Sequence, residues 1–156
     1  MFADDEDFEH FLALVACASQ VYRTDVHEYG LMDTHYHMIV TPHDALALRE
    51  AVSYFAGQYS RYYNHKYGRM GTLINERYRD GVIRDERQWF TCMRYIVRNP
   101  VAAGIVTAPG DYRWSSYRCH AYGQPVWWLK DHALYTALGP DPATRQAAYR
   151  AICDPP

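Results

Sequence analysis

The positions of apolar side chains along the chain follow two different periods. Behind the acidic start MFADDEDFEH, apolar residues from Phe8 to Val15 recur at steps of three and four, which predicts an amphipathic helix. The runs DVHEYGLM and HYHMIVTP are instead rich in β-type residues, and Asp33-Thr34 between them is a tight turn by residue type. We therefore expect a helix followed by a β-hairpin, whose second strand stops at Pro42.

Two further helices are predicted after the hairpin. Apolar positions recur at three- and four-residue steps from Leu48 onward. They predict a helix from an N-cap at Asp44 to about Tyr67, where YGRMG breaks it. The segment RDERQWFTCMRYIVRNP predicts a short helix that begins near Asp85 and is ended by Pro100.

The remaining segments complete the predicted architecture. TLINERYRDGVI has the composition of strand and turn, with Asp80-Gly81 as the turn, and DPATRQAAYRAI near the C-terminus is a helix. The order helix, hairpin, helix, strand, helix indicates an α+β fold with a mainly antiparallel sheet. A length of 156 residues suits one domain.

The composition is typical of a globular protein, with 49% apolar and 22% charged residues. The chain has no apolar run of roughly 18 residues, and its acidic start lacks the basic and apolar regions of a signal peptide. We expect a cytoplasmic protein that does not interact with a membrane. The four cysteines are scattered without a C-x-x-C pair, which favours reduced thiols over a disulfide framework or a cysteine zinc site.

The formal net charge of −2 is unevenly distributed. Residues 1–53 hold ten Asp and Glu against two Arg, whereas residues 54–98 hold nine Lys and Arg against four acids. The same middle stretch interleaves tyrosines with its basic residues, a combination that suits a chain of phosphates and bases. A solvated amphipathic helix whose tyrosines cap the core explains this composition equally well, so both interpretations stay open.

Two histidines form the first candidate site. His35 and His37 are separated by one residue in a predicted strand, so their side chains face the same way. Neutral imidazole nitrogens on one face can share a metal ion. Two hydrogen-bonded structural histidines, or one buried and one exposed histidine, fit the same pattern.

A tyrosine of the third helix forms the second candidate site. The predicted core face of this helix consists of Trp89, Phe90, Met93, Ile96 and Val97. Tyr95 lies on a neighbouring stripe with Asn99 one turn later, so its hydroxyl and the Asn99 amide can reach a common point. An ordinary boundary tyrosine with a solvated hydroxyl has the same placement.

Four motifs occur together in a recognisable order: YGLMDTHYHMIVTP, SRYYNHKYGRMGTLINERYRDGVI, RYIVRNPVAAGIV and DYRWSSYRCHAYG. In order and approximate spacing they resemble the single-tyrosine HUH transposases, which are IS200-like, and most of all the REP-associated tyrosine transposase branch. The resemblance implies a ferredoxin-like, HUH-type antiparallel sheet with helices on one face, in one domain over residues 1–156. Residues 111–156 would be a C-terminal extension packed on that domain, and we expect a monomer or a homodimer. Relatives begin with a strand that has no counterpart here, so we expect a fold without that first strand.

The resemblance also assigns roles to individual residues. His35 and His37 match the two histidines of the HUH motif, which hold a divalent ion, usually Mg²⁺ or Mn²⁺. Tyr95 stands at the position of the nucleophilic tyrosine, and Asn99 stands where a polar side chain completes the metal site. The implied reaction cuts one DNA strand, leaving a 5′-phosphotyrosine bond and a free 3′-hydroxyl.

The expected partner is single-stranded or hairpin-forming repeat DNA. The basic, tyrosine-rich helix is the first candidate contact surface, through Arg61, Lys66 and Arg69, and the next candidates are Arg77, Arg79 and Arg84. Two alternatives stay open beside the active strand transferase. One is a decayed or domesticated relative that binds structured DNA without cutting it, and the other is a metal-binding domain unrelated to DNA.

Overall fold

The computed structural model describes residues 1–74 and 81–153. Its helices and strands are, in chain order, α1 (Asp5–Val21), β1 (Thr24–Met32), β2 (His35–Pro42), α2 (Ala47–Tyr67), α3 (Glu86–Ala102), α4 (Tyr117–Tyr122), α5 (Ala133–Thr136) and α6 (Pro142–Cys153), with a 3₁₀ turn at Pro109–Asp111. Within the described ranges the sheet is the antiparallel pair β1 and β2. The α+β prediction is confirmed. No helix in these ranges combines the length and the apolar character that a membrane crossing requires.

The chain divides into two compact units. The first unit comprises Met1–Asp25 and Thr41–Val82, and the second comprises Val26–Val40 and Ile83–Pro156. This division does not test the expectation of one domain with a C-terminal extension, which stays a prediction.

The first unit is built on the packing of α1 against α2. Helix α1 begins at Asp5, where the Asp4 side chain accepts a hydrogen bond from the Asp7 main-chain nitrogen at 3.1 Å and caps the first turn. Phe11 of α1 is fully buried, and its ring centroid lies 5.4 Å from that of Phe55 and 5.1 Å from that of Tyr59 on α2. Edge-to-face aromatic packing therefore joins the two helices.

Helix α2 ends at Tyr67 as predicted but begins later than predicted, at Ala47, and its N-cap is Leu46 rather than Asp44. The Asp44 carboxylate accepts hydrogen bonds from the main-chain nitrogens of Leu46 and Ala47, both at 2.9 Å, so it satisfies donors that the helix start leaves open. The helix ends at Tyr67, and Gly68 follows with a φ of 60°, a left-handed conformation that glycine adopts without steric cost.

The hairpin has one buried and one more exposed strand. Strand β1 is buried over nearly its whole length. Its second edge, on the side away from β2, is also hydrogen-bonded: Leu31 N donates to Trp114 O, and Lys130 N donates to Val26 O, both at 2.9 Å. Strand β2 is partly exposed. The turn at Asp33-Thr34 is confirmed. The strand prediction for TLINERYRDGVI is wrong for its described residues, 72–74 and 81–83, which have no regular structure, and Asp80 lies outside the described ranges.

Helix α3 begins as predicted but ends later. The Asp85 carboxylate accepts a hydrogen bond from Gln88 N at 2.8 Å and caps the start. The prediction that Pro100 ends the helix is wrong, because the helix runs to Ala102. A proline inside a helix removes one hydrogen bond, the one to the carbonyl four residues earlier, which here belongs to Ile96. The following residues still close the last turn, with Ala103 N donating to Asn99 O at 2.9 Å.

Strand β1 approaches α3 closely at Gly30. A Cβ atom at this position would lie 3.1 Å from both the carbonyl oxygen and the Cγ2 atom of Ile96, so only glycine fits without a shift of the helix. We expect Gly30→Ala to lower the free energy of unfolding by about 1–3 kcal/mol, as overpacked sites do. Denaturant unfolding of the two proteins measures this loss.

A matched control for this prediction is Gly57→Ala in α2, where nothing lies within 4 Å of an added Cβ. Alanine there is expected to stabilise the helix by roughly 0.5–1 kcal/mol, because it restricts the unfolded chain. Equal unfolding free energies for Gly30→Ala and the unmodified protein would contradict the close approach of β1 and α3.

The core of the second unit joins α3 to the C-terminal segment. Its buried residues on α3 are Trp89, Met93, Ile96 and Val97, and those of the C-terminal segment are Tyr117, Ala121, Tyr135, Tyr149 and Cys153. The predicted C-terminal helix is confirmed as α6, which packs on both α3 and α4. The Arg98 guanidinium donates a hydrogen bond to Cys153 O at 3.0 Å and fixes the end of α6 to α3.

A buried carboxylate lies in the second unit. Glu28 of β1 is 1% exposed, and its Oε2 atom accepts hydrogen bonds from the hydroxyls of Ser116 and Tyr149. Burial raises the pKa of Glu28, while the nearby His120 and these two hydroxyls act in the opposite direction. A carboxyl group with two fixed donors therefore ties β1 to α6 and to the residue before α4.

Candidate active site

The two predicted histidines lie together at the start of β2. Their ring centroids are 4.9 Å apart and the ring planes meet at 78°. This edge-to-face arrangement follows from strand geometry, which turns alternate side chains to the same side. His35 is exposed, whereas His37 is half-buried.

Tyr95 of α3 lies against the same pair. Its ring centroid is 5.2 Å from that of His37, with the planes at 74°. The Tyr95 side chain is 58% exposed, so its hydroxyl is open to a ligand from solvent. The structure thus brings together two of the elements that the sequence singled out, the histidine strand and the tyrosine helix.

His37 has the properties of an available ligand. Burial lowers its pKa, and the neighbouring His35 lowers it further, so the imidazole is neutral at neutral pH. Its Nε2 atom is buried and has no hydrogen-bond partner among the described residues. A buried polar nitrogen without a partner is costly unless something else satisfies it. A metal ion fits this nitrogen.

His35 is oriented by a residue that the sequence reasoning did not include. The Thr34 hydroxyl and His35 Nδ1 are hydrogen-bonded at 3.1 Å. When one ring nitrogen is held in this way, the other, Nε2, is the one left to bind a ligand. The sequence does indicate this role for Thr34, because a hydroxyl side chain in the turn directly precedes the histidine that begins the strand.

Asn99 is half-buried on α3, one turn beyond Tyr95. The described residues contain no group of three or more His, Cys, Asp and Glu side chains that could hold a metal ion. A metal on the histidine pair would therefore need ligands of another type, such as an amide oxygen or phosphate oxygens. The role of Asn99 as such a ligand stays a prediction.

A comparison with protein families finds that the model described as "Transposase IS200 like" matches residues 1–99, which include both histidines, Tyr95 and Asn99. This chain belongs to the IS200-like transposase family. Membership implies a transposase that acts on DNA. Comparisons with curated proteins and with solved structures give no match.

The basic residues of this IS200-like transposase that are predicted to contact DNA differ in their exposure and in the side chains around them. Arg61 is exposed on α2 and lines an open cavity of about 290 Å³. Arg69 is exposed, with its guanidinium 5.7 Å from the Tyr63 ring centroid. Arg84 is exposed just before α3. Arg77 and Arg79 lie outside the described residues.

Lys66 lies in a cluster of acidic groups. Its ammonium is 2.8 Å from an Asp4 oxygen, 2.9 Å from Glu6 and 3.0 Å from the fully buried carboxylate of Asp7. Desolvation acts against the charged form, but the hydrogen bonds to the three carboxylates and to Tyr62 raise the pKa of Lys66 well above its ordinary value. The charge of Lys66 is thus compensated within the first unit, and its contact with DNA stays a prediction.

Proposed function

We propose that this IS200-like transposase cuts and rejoins one DNA strand through Tyr95, with Mg²⁺ or Mn²⁺ held by His35, His37 and Asn99. The observation that carries the proposal is the contact of the exposed Tyr95 ring with a neutral histidine whose buried nitrogen has no partner among the described residues. Tyr95 supplies a nucleophile, and the histidines supply two nitrogen ligands on one face of β2.

The reaction follows from the chemistry of these groups. The Tyr95 oxygen attacks the phosphorus of a phosphodiester, a 5′-phosphotyrosine bond forms, and the bond to the 3′-oxygen breaks. The phenol loses its proton to water, and the departing oxygen takes one up to become a 3′-hydroxyl. The same hydroxyl reverses the step at a new junction, so cutting and rejoining need no ATP.

A phenol with an ordinary pKa near 10 is a weak nucleophile, so the phosphate must be activated. A divalent ion held at this site would supply that activation, by withdrawing charge from the non-bridging oxygens of the phosphate. His35 and His37 would bind it through imidazole nitrogens, and Asn99 through its amide oxygen. Two nitrogens suit manganese better than magnesium, which prefers oxygen ligands.

The proposed substrate is single-stranded or hairpin-forming repeat DNA, the substrate of the REP-associated branch, and the protein would act as a monomer or a homodimer. The exposed guanidinium groups of Arg61, Arg69 and Arg84 support a polyanionic partner. Arg61 lies on α2, a helix with several tyrosines whose rings can stack on bases, and Arg69 follows the end of that helix, close to Tyr63.

Adduct formation tests this proposal. The protein is mixed with Mn²⁺ and an oligonucleotide that carries a hairpin repeat from around its own gene, and a covalent protein–DNA adduct is expected on a denaturing gel. Chelation of the metal should prevent the adduct, and His37→Ala should not form it.

The matched control is His43→Ala. His43 is a surface histidine that is hydrogen-bonded to Asp25 at 2.8 Å in the first unit, so its loss should leave the adduct intact. If no such repeat gives an adduct while the protein still binds the DNA, the alternative of a relative that binds without cutting replaces the proposal.

A further inference from the structure

The exposed side of α3 carries two arginines that the family resemblance does not assign to a function. Arg87 and Arg94 are both exposed, and Thr91 lies between them at steps of four and three residues. These steps place the three side chains on one line along the helix. The Thr91 hydroxyl donates to Arg87 O at 2.8 Å, so it is engaged by the helix backbone. The polar groups of this line that can bind a ligand are therefore the two guanidinium groups.

Within the described part of the chain, the two arginines of this line are not paired with a carboxylate. None of the salt bridges found among the described residues involves Arg87 or Arg94. The helix has a single acid, Glu86, which directly precedes Arg87 and, at about 100° per residue, lies about 80° from Arg94 and opposite Tyr95. Arg98 continues the line, but its guanidinium is hydrogen-bonded to Cys153 O.

The line runs beside the candidate nucleophile. Arg94 precedes Tyr95 directly, and at about 100° per residue both Arg87 and Arg94 lie within about 100° of Tyr95 on the exposed side of the helix. Residues 87 and 94 are separated by about 10 Å along the axis, from a rise of about 1.5 Å per residue. In one strand of a duplex the phosphates are about 3.4 Å apart along the axis, so this distance spans about three nucleotides of a paired strand and fewer of an extended single strand.

We propose that Arg87 and Arg94 form an arginine ridge that binds the phosphates of the DNA strand next to the phosphodiester that Tyr95 attacks. The inference rests on the proposed function, because it takes Tyr95 to be the point of cutting. The ridge holds the strand by charge, independently of base sequence, and so places one phosphodiester against the Tyr95 hydroxyl.

The test measures binding in the absence of cutting. All variants carry Tyr95→Phe, and the affinity for a fluorescent single-stranded oligonucleotide with a hairpin repeat is measured at several salt concentrations. Each of Arg87→Ala and Arg94→Ala is expected to weaken binding about fivefold at low salt. Each should also reduce the slope of log K against log salt by about 0.7, the value for one phosphate contact on a single strand. Arg94→Lys should retain the slope.

Arg49→Ala is the matched control, since Arg49 is an exposed arginine on another helix, α2. Unchanged affinity and slope in the Arg87→Ala, Arg94→Ala double variant would overturn the ridge, and so would an equal loss in Arg49→Ala. The adduct experiment is separate. If the unmodified protein forms no adduct but its DNA affinity depends on the two arginines, the proposed cutting fails and the ridge stands.

Discussion

Phenylalanine in place of Tyr95 is expected to abolish the covalent protein–DNA adduct, with a loss of at least ~10³-fold in product. The variant keeps the ring that lies 5.2 Å from the His37 ring and removes only the hydroxyl oxygen, which is the proposed nucleophile. Because Tyr95 is 58% exposed, the loss of its hydroxyl should leave the unfolding temperature nearly unchanged. The measurement is quantification of the adduct on a denaturing gel beside a thermal unfolding curve.

Tyr122→Phe is the appropriate comparison, since Tyr122 is another exposed tyrosine of the second unit, at 52%. It should form the adduct as the unmodified protein does. DNA binding by Tyr95→Phe should also persist, because the histidines and the basic residues are intact. Adduct formation by Tyr95→Phe would show that another residue is the nucleophile.

Replacement of Glu28 should have the largest effect on stability. In Glu28→Ala the Tyr149 hydroxyl loses its acceptor inside the core, the Ser116 hydroxyl keeps only its longer hydrogen bond to Tyr29 O, at 3.2 Å, and a cavity replaces the carboxylate. We expect a loss of about 3–5 kcal/mol in the free energy of unfolding, from the lost hydrogen bonds together with the lost packing. Glu28→Gln retains one oxygen that can accept from both hydroxyls, so it should lose far less.

The same pair of variants tests the pH dependence. Burial raises the pKa of Glu28 above its ordinary value of 4.5, so the folded protein holds a proton where the unfolded chain has lost it. The contribution of Glu28 is therefore most favourable below about pH 4.5 and declines as the pH rises toward the raised folded value. His120 and Asp131 also act on this carboxyl, in opposite directions.

Urea unfolding at several pH values from 4 to 7 measures this contribution. Glutamine does not titrate, so the stability of Glu28→Gln relative to the unmodified protein should increase as the pH rises above about 4.5. Parallel curves for the two proteins would mean that the pKa of Glu28 is the same in the folded and unfolded states.

Much of the first hundred residues was predictable because local signals decide the structure there. The hairpin follows from two β-rich runs around Asp33-Thr34, and the start of α3 follows from the carboxylate of Asp85. Asp44 lies in the turn before α2, where its carboxylate accepts from Leu46 N and Ala47 N without being the N-cap. Helix α3 continues past Pro100 because a proline in the last turn of a helix removes only one hydrogen bond, and the packing of α3 against the core outweighs that loss.

Contacts between distant parts of the sequence could not be predicted in this way. The pairing of Lys66 with Asp4 and Asp7 joins residues about sixty positions apart, and no local pattern indicates it. The second edge of β1 is satisfied by single bridges at Ser115 and Leu129, which leave no periodic signal. Within the candidate site, strand alternation and helical spacing already indicated the histidines and Tyr95, whereas the hydrogen bond between the Thr34 hydroxyl and His35 Nδ1 depends on the turn geometry.

The support of α3 by the C-terminal segment has a consequence for how such genes can diverge. The family match ends at residue 99, yet the side chains on which α3 rests include Tyr117, Tyr149 and Cys153. Recombination between relatives at that boundary would transfer the candidate histidines and Tyr95 without the surface on which α3 packs. Selection should therefore keep the two parts together as one inherited unit, and substitutions in one should be accompanied by compensating changes in the other.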